Sequence, residues 1–263
     1  MLKKMTIVFM LLPLAACSIF SGPKTPADTG SQAANTNVQL GLAYLQSGDV
    51  QRAKQKLLLA EQQAPQATES QGAMGYFLES TGNSSEAEAY YRKAATLHAQ
   101  SGAAQNNYGT FLCRSGRYAE ADQHFLLALQ DPSYLNTAQV YENAGLCAMQ
   151  IPDASKARDY FTQSITQDPR RAVAWLELGW IDYQQKNYQP AQESFDHYMQ
   201  LTKDPTSNAL WLGVVLARAL DNESVAGRYT LMLQTRFPNS DAYKALMRTK
   251  KLETQKKKKP LYY

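Results

Sequence analysis

NNYGTFLCRSGRYAEADQHFLLAL, residues 106–129, is the stretch that decides the fold. Its apolar periodicity is that of two short amphipathic helices, yet Gly109 falls inside the first, and Ala121 and Ala128 lie along the second. A glycine inside a helix costs about 1 kcal/mol relative to alanine. A fold that keeps one there recovers that energy through a contact that only bare backbone allows.

The arrangement recurs. Gly41, Gly75, Gly109, Gly145, Gly179 and Gly213 are separated by 34, 34, 36, 34 and 34 residues, each within an apolar-periodic helical segment. Twelve residues after them come Ala53, Ala87, Ala121, Ala157, Ala191 and, as the one lapse, Val225. Four further on stand Leu57, Tyr91, Phe125, Phe161, Phe195 and Tyr229. A fixed period longer than a helix and shorter than a domain fixes the architecture before any other feature.

This pattern resembles the tetratricopeptide repeat, a 34-residue helix-turn-helix with Trp-x-x-Leu-Gly-x-x-Tyr, then Ala-x-x-x-Phe, then a closing Pro. Leu40, Gly41, Tyr44, Ala53, Leu57, Ala60 and Pro65 match it in the first repeat, and Trp175, Leu178 and Gly179 in the fifth. The resemblance implies an all-α, right-handed superhelical solenoid of six repeats, 34–67, 68–101, 102–135, 138–171, 172–205 and 206–239. Gly109 and Ala121 are expected to meet where the two helices cross, drawing the axes to the short end of the usual range of about 8–10 Å. Phe125 and Ala128 then pack against the next repeat. The departures are Ala99 for the closing proline, Pro152 in the turn of repeat four, Ser164 for an alanine and Asp182 for tyrosine. Val225 and Met232, at the alanine positions of repeat six, predict looser packing at the end of the stack. Two extra residues within 131–135 predict a lengthened turn between repeats three and four.

The N-terminus has a different composition. Lys3 and Lys4 precede an apolar run from Met5 to Ala16, too short to span a bilayer, and the run ends in Leu14-Ala15-Ala16-Cys17. A charged start, apolar middle and small-residue end make a secretory signal over 1–16. A cysteine at that point resembles a bacterial lipobox, which implies lipidation of Cys17; the other reading is a plain signal peptide with an incidental cysteine. Several acyl chains anchor stably where one does not. Ser18 after the cysteine, rather than aspartate, resembles lipoproteins sorted to the outer membrane. Residues 17–35 are rich in Ser, Gly, Pro, Thr and Ala and read as a flexible tether, with a mean reach of about 20–25 Å. The repeat domain is expected over 36–240 and a basic, disordered tail over 241–263.

The formal charge of +4 hides a division, since residues 17–243 carry 17 basic and 22 acidic side chains, a net of −5. The tail ends KKKKPLYY and reads as solvated; anionic lipid, an anionic polymer or nucleic acid are its alternative partners. No nucleic-acid-binding motif occurs elsewhere, and no nucleic-acid partner is expected.

Catalytic motifs are absent from the sequence. His98, His124 and His197 have no ligand-like spacing, and there is no CxxC, HExxH, GxSxG, GxxxxGK[ST] or GxGxxG. The expectation is a chain without enzyme activity, metal, small-molecule substrate or cofactor other than the lipid on Cys17. Cys113 and Cys147 lie at neighbouring places on the first helices of repeats three and four, close enough to bridge. An oxidising compartment permits the bond, worth about 3–4 kcal/mol by chain entropy; two buried free thiols are the alternative.

Function in such a solenoid is expected on the concave wall, built mainly from first helices. Candidate wall residues are Val38, Leu42, Leu45, Tyr76, Glu79, Asn106, Thr110 and Arg114 in the first three repeats. Glu142, Leu146, Met149, Gln150, Leu176, Trp180, Tyr183, Leu210, Val214 and Arg218 continue them. Of these, Asn106, Thr110, Arg114, Glu142, Gln150, Trp180 and Tyr183 are the principal candidates. Amides can pair with a partner's backbone while Trp180 and Tyr183 supply anchors, which suits an extended polypeptide.

Residues 106–125, NNYGTFLCRSGRYAEADQHF, followed by YENAGLCA at 141–148, resemble more narrowly the type IV pilus biogenesis and stability lipoproteins called PilF or PilW. That resemblance covers about 34–240 and leaves out the Lys-rich tail. It implies a pilotin-like role: a lipid-anchored outer-membrane protein, facing the periplasm, that helps the pilus secretin PilQ reach the membrane, multimerise or remain stable. A scaffold for another cell-envelope assembly machine would use the same solenoid and anchor.

Overall fold

The computed structural model describes residues 26–151 and 154–248, with side chains from residue 31 onward and without that of Ala154. Cys17 and Pro152 lie outside the described residues. Helices pair in chain order: α1 (Pro26–Gln46) with α2 (Val50–Gln63), α3 (Thr68–Ser80) with α4 (Ser84–Leu97), and α5 (Gly102–Arg114) with α6 (Tyr118–Ala128). Then α7 (Thr137–Ala148) pairs with α8 (Ala154–Gln167), α9 (Ala172–Gln184) with α10 (Tyr188–Leu201), and α11 (Ser207–Ala219) with α12 (Glu223–Arg236). Residues 241–248 form a short further helix, α13, and no strand occurs among the described residues. Each first helix touches its own second helix and the first helix of the next repeat, so the stack is an all-α tetratricopeptide solenoid.

Local chemistry sets the boundaries. The side chains of Asp49, Ser101, Thr206 and Asn222 accept hydrogen bonds from the backbone N–H groups of Arg52, Ala104, Ala209 and Val225, which fixes the starts of α2, α5, α11 and α12. Gly116 closes α5 at φ 79° and turns the chain into α6. Lys186 holds the equivalent left-handed geometry at φ 65°, at a cost of about 1–2 kcal/mol for a residue with a Cβ.

The opening question has a geometric answer. A Cβ on Gly109 would stand 3.0 Å from the Phe125 ring and 3.1 Å from the Ala121 carbonyl oxygen. On Gly145 it would meet Phe161 at 2.7 Å, and on Gly41 it would meet Leu57 at 2.6 Å. In these three repeats the small residue therefore admits the large one that follows sixteen positions later, and Phe125, Phe161 and Leu57 are almost fully buried. Between α5 and α7 the sulfurs of Cys113 and Cys147 are joined in a disulfide, with the Cα atoms 5.7 Å apart.

Three expectations are corrected. The tether does not run to residue 35, because α1 begins at Pro26 and Ala34 is buried. Proline suits a first helical turn, each added residue extends the helix by one hydrogen bond, and Ala34 and Val38 reach the core. In repeat six the buried small residue is Ala226 rather than Val225, and Leu233 rather than Met232. The connection between α10 and α11 is one residue longer than that between α8 and α9, which shifts the second helix by one place. Nor is all of the segment from residue 241 a disordered tail: Leu246 on α13 is fully buried among Leu210, Val214 and Leu233, closing the apolar end of the stack. Residues 249–263 lie outside the described residues.

The insertion between repeats three and four is a turn with contacts of its own. Asp131 accepts from the Gly102 N–H at 2.8 Å, and Tyr134 packs where a Cβ on Gly102 would fall. Backbone N–H groups, Gly102 first, hold the Asp131 carboxyl below its ordinary range.

Candidate partner-binding groove

The first helices of the N-terminal half line a trough of about 900 Å³. Its wall mixes apolar groups, Val38, Leu42 and Leu45, with the half-exposed Tyr76 and with the polar residues Asn106, Asn107, Thr110, Arg114 and Asn143. The polar part is organised across repeats. Asn143 donates to Asn106 at 3.0 Å and to the Thr110 hydroxyl at 3.4 Å, while Thr110 donates to the Asn106 carbonyl at 2.7 Å. Arg114 donates through Nε and Nη2 to both oxygens of Glu79, at 2.5 and 2.6 Å, a paired-fork geometry that fixes direction as well as charge. Tyr91 donates to the same carboxylate at 3.2 Å. Burial first, and then the Glu79 charge, push the Tyr91 hydroxyl well above its usual pKa.

Asn106, Thr110 and Arg114 are thus brought together in one trough. The other candidates are not. Glu142 is buried and takes a bidentate ion pair from Arg171, the residue just before α9, so its carboxylate ties α7 to the start of the next hairpin instead of facing a partner. Gln150 is exposed just past the end of α7, away from the trough. Leu176 is a buried core residue covered by the next repeat, and Leu210 and Val214 are buried under Leu233 and Leu246, whereas Leu146 and Met149 are more than a third exposed. Trp180 and Tyr183 are half-buried on α9 and meet edge to face, with ring centroids 6.0 Å apart.

The histidines are engaged in packing. His124 shares a 2.6 Å hydrogen bond with Gln105, His98 shares one with the Gln66 carbonyl, and His197 stacks on Trp175 at 4.2 Å. Burial pushes the His124 imidazole below its ordinary pKa.

A set of wall residues stands two places before the repeat glycines: Ala73, Asn107 and Asn143 in the trough, then Glu177. The same spacing as the glycines, 34, 36 and 34 residues, marks them, but a polar residue so close to the glycine reads as helix surface. Glu177 has no hydrogen bond or ion pair among the described residues, and burial alone raises its carboxyl above the usual range.

The tetratricopeptide-repeat family model matches residues 38–102 and 73–134. Over 247 residues the chain is 31% identical to the type IV pilus assembly protein PilF of Pseudomonas aeruginosa, covering 92% of this chain and 97% of that one. The chain belongs to the PilF/PilW family. The solved structure from the functional characterisation of Pseudomonas aeruginosa PilF superposes with a TM-score of 0.74 at 30% identity, covering 84% of this chain and 99% of that one. The crystal structure of PilW, described as a widely conserved type IV pilus biogenesis factor, superposes with a TM-score of 0.71 at 26% identity and covers 82% and 99%. Membership makes this a tetratricopeptide-repeat protein of type IV pilus biogenesis, in which protein–protein interaction is the role of the scaffold.

Proposed function

We propose that this protein is an outer-membrane lipoprotein that acts as the pilotin of the pilus machine. Lipid on Cys17 fixes the N-terminal end of the stack to the inner leaflet, and the concave wall takes up subunits of the secretin PilQ. Strand edges of an unassembled secretin would otherwise pair indiscriminately; holding them at the bilayer favours the correct multimer. The role is non-catalytic, with no cofactor beyond the lipid, no small-molecule substrate and no nucleic acid. The observation that carries this reading is family membership along nearly the full chain, together with an apolar and amide-lined trough in its N-terminal half.

The test is Cys17→Ala in cells that make pili. The expected result is loss of the protein from the outer-membrane fraction and a fall in detergent-resistant secretin multimers, with secretin monomer accumulating. Unchanged membrane retention and unchanged multimers would overturn the reading.

A further inference from the structure

Glu177 and Trp180 stand one helical turn apart on α9, and both are polar groups that the fold leaves without a partner. The repeat register carries them onto the inner wall. Ala73, Asn107 and Asn143, two places before their glycines, line the trough, and Glu177 has the same offset from Gly179. Leu42, Tyr76 and Thr110, one place after, line it too, and Trp180 has that offset.

The lack of a partner has a cause in the sequence. One repeat earlier, Asn143 is satisfied by Asn106 and Thr110. The residues that correspond to those two on the next repeat are Glu142, committed to Arg171, and Leu146, which has no polar atom to offer. The Glu177 carboxylate therefore has no hydrogen bond or ion pair among the described residues, and burial disfavours its charge. The Trp180 indole N–H is buried with no acceptor. Beside it Tyr183 adds an edge-to-face ring, and Tyr188 lies 5.9 Å from Tyr183.

Glu177, Trp180 and Tyr183 are all only part-buried, so a carboxylate without an internal partner and two aromatic rings are presented together on one face of α9. Their chemistry is specific. A carboxylate and electron-rich ring faces attract a cation. The net charge of −5 over residues 17–243 has the complementary sign. We propose that Glu177, Trp180 and Tyr183 form a receptor on repeat five for a single arginine or lysine side chain of the polypeptide held in the groove. This deepens the reading that the concave wall receives polypeptide and rests on it.

The test is nitrogen–proton NMR of the full chain in neutral detergent, following the indole N–H signals of its three tryptophans, with Trp180→Phe assigning one of them. The probes are acetyl-Ala-Val-Arg-Val-Ala-amide and the same peptide with citrulline, a neutral isostere of arginine. The arginine peptide is expected to move the Trp180 signal saturably, with citrulline binding about tenfold more weakly. Glu177→Gln is expected to abolish the difference while circular dichroism stays unchanged. Equal binding of both peptides, no movement of the Trp180 signal, or full discrimination by Glu177→Gln would each overturn the proposal. So would a shift of that signal on deleting residues 249–263 without peptide, since the chain's own lysines would then be the occupant. Neither secretin nor lipid enters the measurement, so its failure is distinguishable from failure of the pilotin reading.

Discussion

At the scale of single residues, the repeat glycines separate contact from conformation. Alanine at Gly145 gains about 1 kcal/mol of helix propensity, but its Cβ would fall 2.7 Å from the fully buried Phe161 ring. Forced overpacking of this kind costs about 1–3 kcal/mol, so Gly145→Ala is expected to lower the thermal midpoint. Gly227, inside α12, has nothing within 4 Å of the same added atom, and Gly227→Ala is expected to stabilise by about 0.5–1 kcal/mol. Parallel thermal melts of the two variants check both signs. Glu177 makes a prediction in pH. Its folded pKa lies above the ordinary value because burial disfavours the charge, so the folded state binds more protons than the unfolded one, and stability falls as pH rises through the carboxylate range. Glu177→Gln is therefore expected to melt higher than the parent at neutral pH, with the advantage shrinking as the pH falls below the ordinary glutamate value of about 4.3. A variant less stable at neutral pH would show that the carboxylate is satisfied after all.

Between elements, the bond from Cys113 to Cys147 ties α5 to α7 across a sequence separation of 34 residues. Closing a loop of that length stabilises the folded chain by about 4 kcal/mol on the chain-entropy model. Cys113→Ser with Cys147→Ser is expected to lower the melting temperature by several degrees without loss of helical circular dichroism, and chemical reduction of the parent should reproduce the effect. The helices and their pairing were legible because a repeat glycine is dictated by backbone approach, which leaves the same mark every 34 residues: Gly41 and Gly145 both admit the large residue that their spacing announces. The shift from Val225 to Ala226 left no such mark, since one added residue in an irregular connection alters no pattern until the helix is built. The groove was half legible. Helical register places Thr110 and Arg114 on the wall, but the withdrawal of Glu142 depends on Arg171, twenty-nine residues away at the start of α9. The partnerless state of Glu177 depends in turn on that pair, a second-order consequence that no local spacing encodes.

For the whole molecule, the architecture is a one-dimensional stack with two unlike ends. The N-terminal end leads into the segment that carries Cys17, and its first repeats hold the apolar trough. The other end is closed by Leu246 on α13, after which the sequence becomes strongly basic. Such stacks bind along the inner wall because curvature brings successive first helices to bear on one extended ligand. The central claim is that the secretin occupies this wall, and site-specific photo-cross-linking in intact cells tests it most directly. A photoreactive residue replacing Tyr76, half-exposed in the trough, is compared with one replacing Leu127, also exposed but on the second helix of repeat three. The account predicts a covalent adduct with the secretin from position 76 and little or none from position 127; capture of the secretin from position 127 and not from 76 would contradict it.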